Sequence, residues 1–353
     1  MSGFLDDRYG SLLPYTPGEQ PKTNDLIKLN TNESPFPPSQ KAIEEAEKEL
    51  RRSNLYPDPE CVALREKFAE VLGNGLTKEN IFVGNGSDEV LFFAFSAYKK
   101  RGIAFPDITY GFYPVYAQIT GASYKEIPLG DDFSVDVDGL IEQKGTIVVA
   151  NPNAPTGMVL AKSEIVRMLE SDPSRVVIVD EAYVDFGGDS CVDLIGKYKN
   201  LLVTQTFSKS RSLAGARLGF GIADKEIVRD LNLLKYSFNP YNINRATLAL
   251  GTGVLFDEEY TKKNCREVMS VREYTREELE KLGFTVLDSR ANFLFAAHKS
   301  VTGKEVYEKL KNKKILVRYF DKDRLRPFVR ITIGSKAQME KMIEEIKNIT
   351  EEA

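Results

Sequence analysis

Two stretches, TIVVANP at 146–152 and VVIVDEA at 176–182, constrain the fold most. They are short, rich in β-branched residues and almost uniformly apolar. A strand with one wet face alternates polar and apolar residues. A strand buried on both faces does not, and such strands belong to parallel sheets covered by helices on either side. LLVTQTF (201–207) and LGFGIA (218–223) continue the series, and IFVG (81–84), IAFP (103–106) and SYKEIPL (123–129) precede it. Helical patterns lie between them, so crossover connections and an α/β domain are expected.

The pattern changes near Asp224. Long helical stretches are expected at 224–236 and 257–282. Strands follow at NFLFAA (292–297), ILVRYF (315–320) and FVRITI (328–333), with helices at 302–312 and 336–350. This reads as a smaller α+β unit. The first forty residues are broken by prolines and read as an extended arm. Ser39 is positioned to cap a helix running to about Arg52. Asp58 and Pro59 look like the N-cap and first position of the next helix. The chain has 353 residues, more than a single core of roughly 250–300 residues usually serves. The expected division is an arm at 1–40 that joins the small domain, a large domain at 41–250 and a small one at 251–353.

Composition excludes several chemistries. The only histidine is His298, so histidine-based triads and histidine-ligated metal sites are not expected, nor is any metal. Cys61, Cys191 and Cys265 are far apart, and no Cys-x-x-Cys pair occurs. With no leader-like segment in residues 1–10, a reducing cytoplasm is the expectation. The net charge of −4 argues against nucleic acid as a partner, and no apolar run suits a membrane helix. Acid–base work must fall to Lys, Asp, Glu or Tyr, or to a cofactor.

Six places carry such groups. In TFSKSRSLAGARLGF, Lys209 follows an apolar strand, with Ser208 beside it and Arg217 after a run of small residues. Ser208 and Arg217 suit an anion, and a lysine beside an anion site suits a Schiff-base cofactor carrying a phosphate. Asp180 ends a buried strand, where a carboxylate is costly unless paired; it is a helix cap or the partner of a ring nitrogen. Tyr183 follows it. NPNAPTG (151–157) ends a parallel strand, where ligands bind in open sheets, and offers the amides of Asn151 and Asn153. GNGSDEV (84–90) leads from a strand into a helix opened by Ser87, and helix starts bind phosphate. Tyr110 in ITYGFYPVY is a core aromatic or a cover for a planar ring. Arg330 in FVRITIGS is an arginine inside an apolar strand, and its fork suits a carboxylate or phosphate. Arg318 in ILVRYF is a weaker candidate, for which a structural role is the plainer reading.

In order along the chain, LLPYTPG, LNTNESP, LYPDPE, GNGSDEV, ITYGFY, VVIVDEAY, TFSKSRSLAGARLGF and VRITIGS resemble the fold-type I aminotransferases, which use pyridoxal 5′-phosphate. The resemblance covers nearly the whole chain. It implies a large domain with a mostly parallel sheet flanked by helices and a smaller α+β domain. It implies that Lys209 binds the cofactor covalently, Asp180 pairs with its ring nitrogen, Tyr183 bonds its ring oxygen and Tyr110 stacks on the ring. Ser87, Asp88, Thr206, Ser208 and Arg217 then hold the phosphate, Ser87 and Asp88 mainly through backbone. Tyr56 reaches the phosphate of a neighbouring subunit, which implies a homodimer. Arg330, with help from Arg318, clamps a substrate carboxylate, and Tyr15 and Asn32 border the substrate pocket. The implied reaction is amino transfer from L-histidinol phosphate to 2-oxoglutarate, a step of histidine biosynthesis. An aromatic aminotransferase or a threonine-phosphate decarboxylase keeps the same cofactor residues. One position departs from the family pattern: Ala154 stands where an asparagine usually bonds the ring oxygen. Asn153 or Asn151 substitutes there, or Tyr183 acts alone.

Overall fold

A computed structural model of the chain describes residues 4–10, 12–21 and 25–352. A seven-stranded sheet dominates it. In spatial order its strands are Ile81–Asn85, Leu218–Ala223, Leu201–Thr206, Val177–Asp180, Thr146–Ala150, Ile103–Pro106 and Tyr124–Ile127. Leu218–Ala223 runs antiparallel to both neighbours, and the remaining pairings are parallel.

The uniformly apolar strands are buried on both faces. Ile147, Val149, Val177 and Val179 pack into one core with Phe68, Met168 and Leu169. Val148, Ala150 and Ile178 alternate with them into a second core with Phe95, Phe105 and Tyr113. A four-stranded antiparallel sheet lies in the C-terminal part, in the order Arg318–Tyr319, Phe328–Thr332, Phe293–His298, Phe284–Val286. Its core takes Met339, Met342 and Ile346 from the last helix, Lys336–Glu351. Among the described residues, no helix is long and apolar enough to cross a membrane.

The strand topology decides where functional residues meet. Parallel strands end on one edge, and Ala150, Asp180 and Thr206 lie at their ends. The one reversed strand begins on that same edge, with Leu218 opposite Asn85 and Gly219 opposite Thr206. Arg217, just before it, therefore meets the loops that leave the other strands. Residues far apart in sequence converge without any long excursion of the chain.

Several local expectations need correction. The second helix is Val62–Leu72, not one begun at Pro59, and Cys61 before it has φ 52°. Asp58 still serves the helix start, because its carboxylate accepts from the backbone of Glu60 and Val62. ILVRYF is not one strand. Ile315–Leu316 pairs in parallel with Ile27–Lys28, whereas Arg318–Tyr319 joins the four-stranded sheet. The helix Arg245–Leu255 and the strand Phe284–Val286 were not anticipated.

That helix packs closely against Gln40–Leu50. A Cβ on Gly253 would stand 2.5 Å from Ala42 Cα, so the contact depends on glycine. Gly253→Val should cost about 1–3 kcal/mol by overpacking. A urea midpoint equal to that of the parent protein would contradict this packing.

Candidate active site

A cavity of about 370 Å³ opens at the strand ends, within the range of small-molecule sites. Ser87, Asp88, Tyr110, Asp180, Tyr183, Thr206, Ser208, Lys209 and Arg217 all line it. Gln20, Thr31 and Glu33 close it from the N-terminal side.

One end is built for an anion. The helix Ser87–Ala97 starts there with no side chain capping it, so its first N–H groups and its dipole face the cavity. Arg217 donates to Ser208 Oγ at 3.4 Å, to the Ala214 carbonyl at 3.2 Å and to Asp88 Oδ2 at 3.0 Å. Thr206 Oγ1 donates to Ser208 Oγ at 3.0 Å. The carboxylate of Asp88 is itself engaged: Oδ1 accepts from the hydroxyls of Tyr110 and Tyr116, both at 2.8 Å. Asp88 thus acts through its side chain, not only through backbone. It ties the arginine to the tyrosine ring that walls the cavity.

The other groups are shaped by burial. Lys209 Nζ donates to the Thr31 carbonyl at 3.2 Å and lies 5.9 Å from the centre of the Tyr183 ring. Burial and then the Arg330 charge lower its basicity to about 8. Asp180 accepts from Tyr113 Oη at 2.9 Å and from Thr204 Oγ1 at 3.2 Å. Burial still raises its pKa to about 6. Desolvation outweighs these two hydrogen bonds and a third from the Ala182 backbone, and a cation brought to the carboxylate would reverse the shift. Arg330 is enclosed and is not among the residues that line the cavity; its Nη2 donates to the Asn30 carbonyl at 3.2 Å, and its Nε has no partner among the described residues. A buried guanidinium N–H left open is a place for an anion.

The remaining predicted residues fall elsewhere. Asn153 does not reach the cavity lining. Its amide donates to the Ile108 carbonyl and Thr156, and accepts from Thr109. Asn151 is likewise spent on both backbone groups of Leu160. Neither asparagine is free to substitute at Ala154, whose methyl group lines the cavity. Arg318 does not face the cavity; it donates to the carbonyls of Thr16 and Pro17 and holds the arm. Tyr15 stacks on Phe112 at 4.4 Å and reaches Tyr110 at 6.5 Å, so the arm covers the Tyr110 side. Asn32 is buried, and its amide binds Tyr183 and Thr332 in place of open space. Tyr56 is 77% exposed and stacks on Tyr241, away from the cavity. Tyr113, Tyr116 and Thr204 were not singled out from the sequence. The signal available for Tyr113 was a second tyrosine in ITYGFYPVY, three residues after Tyr110.

Residues 24–346 match the family model of aminotransferase class I and II. The chain belongs to the class I and II aminotransferases. Among members of this aminotransferase family, it is 45% identical over 352 residues to the histidinol-phosphate aminotransferase of Clostridium botulinum (strain Okra / Type B1), covering 99% of each chain. It is 46% identical over 355 residues to that of Brachyspira hyodysenteriae, again covering 99% of each. The crystal structure of the Sinorhizobium meliloti histidinol-phosphate aminotransferase in complex with pyridoxal 5′-phosphate superposes with a TM-score of 0.89. That match covers 100% of this chain and 99% of the other at 20% identity, and it shows a shared fold.

The depressed basicity of Lys209 gives this aminotransferase a testable pH dependence. Below about pH 8, folded and unfolded chains both hold the proton, and the burial penalty is felt in full. From there to the ordinary lysine value of 10.5, the unfolded chain holds a proton the folded one has lost, so stability rises with pH. Lys209→Met should stabilise the cofactor-free protein near pH 7 by about 1–3 kcal/mol. That advantage should shrink by about pH 9.5. Urea titrations at both pH values test it, and a constant difference would contradict the burial penalty.

Proposed function

We propose that the protein transfers the amino group of L-histidinol phosphate to 2-oxoglutarate, giving imidazole-acetol phosphate and glutamate, in histidine biosynthesis in the cytoplasm. The observation that carries this reading is one cavity that joins a buried amine, Lys209, to a buried carboxylate, Asp180, and to the Arg217 anion site. The histidinol-phosphate aminotransferases that are 45% and 46% identical over nearly the full length support this choice of substrate.

The residues fit pyridoxal 5′-phosphate. The open helix start, Arg217, Ser208 and Thr206 would hold its phosphate. Asp180 would hold the proton on its ring nitrogen, and Tyr183 would donate to its ring oxygen. Tyr110 would cover the ring. When bound, the cofactor supplies an aldehyde that joins amines reversibly and a pyridinium ring that takes up an electron pair from a neighbouring carbon. Lys209 then has two tasks. Its amine would hold the cofactor covalently, and the same amine, once free, would move the proton from the substrate α-carbon. An amine with a value of about 8 keeps a neutral fraction near physiological pH, which general-base work requires. Arg330, with its open Nε, would bind the phosphate of one substrate and the carboxylate of the other in turn.

The same reading divides the chain into an arm at 1–40, a large domain at 41–250 and a small domain at 251–353. The pairing of Ile27–Lys28 with Ile315–Leu316 supports the assignment of the arm to the small domain. It also takes the working form as a homodimer, in which Tyr56 reaches the neighbour's site. The exposure of the large apolar side chains Tyr56, Leu50, Leu55 and Phe256 supports this.

The first experiment is an absorbance spectrum of the holoenzyme, then addition of L-histidinol phosphate without acceptor. A visible band that bleaches is expected. A band that ignores histidinol phosphate and bleaches with phenylalanine or tyrosine would move the function to an aromatic aminotransferase. Lys209→Ala should lose the band and essentially all turnover; ordinary turnover would refute the role of Lys209.

A further inference from the structure

We infer that Asn32 is a positioning residue that aims the hydroxyl proton of Tyr183 into the cavity. This rests on the reading of the cavity as a pyridoxal phosphate site. Tyr183 Oη accepts from Asn32 Nδ2 at 2.9 Å. Among the described residues, no acceptor takes its own proton. A hydroxyl that accepts on one side must donate on another, and the open space beside Tyr183 is the cavity it lines.

The bonds at the other end of the amide agree with this direction. Thr332 Oγ1 accepts from the Asn32 backbone N–H at 2.9 Å. Its single proton then goes to Asn32 Oδ1 at 3.0 Å. The oxygen of the amide is thereby held at Thr332, and the NH₂ group is left facing Tyr183. Asn292 Nδ2 donates to the Asn32 carbonyl at 3.0 Å and anchors the backbone. Asn32 has φ 56°, a left-handed conformation that asparagine tolerates better than most residues.

The loop at 151–157 explains why this matters. Asn151 and Asn153 are both committed to other partners, and Ala154 presents only a methyl group. Tyr183 is thus the hydroxyl left to serve a ring oxygen on this side of the cavity. A phenol that accepts one hydrogen bond is polarised into a better donor of the next. Burial raises the Tyr183 pKa, and the charge of Arg330 and the Asn32 amide act against that rise. Asn32 acts only through Tyr183.

The test is the pH midpoint of the holoenzyme's visible band. A donor to the ring oxygen favours its anionic form, so losing that donor should move the midpoint up. Asn32→Gly suits the left-handed backbone, keeps the main-chain bonds to Thr332 and Asn292, and removes the amide alone. It should raise the midpoint by about 0.5–1 unit. Tyr183→Phe should raise it further, and adding Asn32→Gly to Tyr183→Phe should change nothing more. An unchanged midpoint in Asn32→Gly, or an equal shift in both backgrounds, would overturn the inference. If Asn32→Gly takes up no cofactor, Thr332→Val serves, because it keeps the amide and removes the group that orients it. A raised midpoint that vanishes in the Tyr183→Phe background supports the inference, and no shift overturns it. A wild-type protein with no visible band after cofactor addition would instead refute the cofactor reading.

Discussion

Three consecutive residues hold the side chains of Arg330, Lys209 and Tyr183. The Asn30 carbonyl accepts from Arg330, the Thr31 carbonyl accepts from Lys209, and the Asn32 amide donates to Tyr183. Arg330 belongs to the four-stranded sheet, whereas Lys209 and Tyr183 follow strands of the seven-stranded one. The segment itself is pinned by main-chain bonds between Leu29 and both Leu316 and Thr332. A short bent piece of chain therefore touches side chains from two sheets that share no strand. Two of the three contacts use backbone carbonyls, which have no rotamers to choose, and the third uses the Asn32 side chain.

Charge in the site is governed by loss of water more than by pairing. Asp180 and Lys209 are opposite in sign, yet burial leads the causes of both shifts and drives each toward neutrality. Each group would be costly in an inert core. The neighbouring Glu181 shows the contrast. It is also enclosed and raised to about 7, but Ser190, Cys191 N–H and Gln205 all donate to it. Asp180 ends the strand and Glu181 follows it, and the two carboxylates reach different partners. Glu181 is fastened by Ser190, Cys191 and Gln205, whereas Asp180 lies at the cavity with Tyr113, Thr204 and the Ala182 backbone.

Much of this architecture was legible in the sequence because it follows from solubility. Runs such as TIVVA and VIVD have no polar face to show water, so a covered parallel sheet was the available answer. The groups that gather at the cavity were also legible, because a lysine, an aspartate and an arginine beside apolar strand ends have few other uses. What failed was the choice of partner. Asn153 looked like a free amide, yet it is consumed by its own loop and by the 108–109 turn. Arg318 and Arg330 sit in similar apolar strings, but one binds the arm and the other keeps an open N–H. The split of ILVRYF between two sheets turns on Val317, which no alternation marks. Periodicity reports burial, and it does not report who is on the other side.

Gly86 and Arg217 carry a consequence for how sequences of this kind can drift. A Cβ on Gly86 would lie 2.5 Å from Arg217 Nη2, and the glycine already sits at φ 79°. Beneath them, a Cβ on Gly219 would lie 2.2 Å from the backbone nitrogen of Ser87. The strand end, the helix start and the arginine are nested with no space between them. Positions 86, 217 and 219 are therefore not free to vary one at a time. A side chain gained at either glycine displaces the anion site before any compensating change can help, so among descendants of this chain the three should persist together or disappear together.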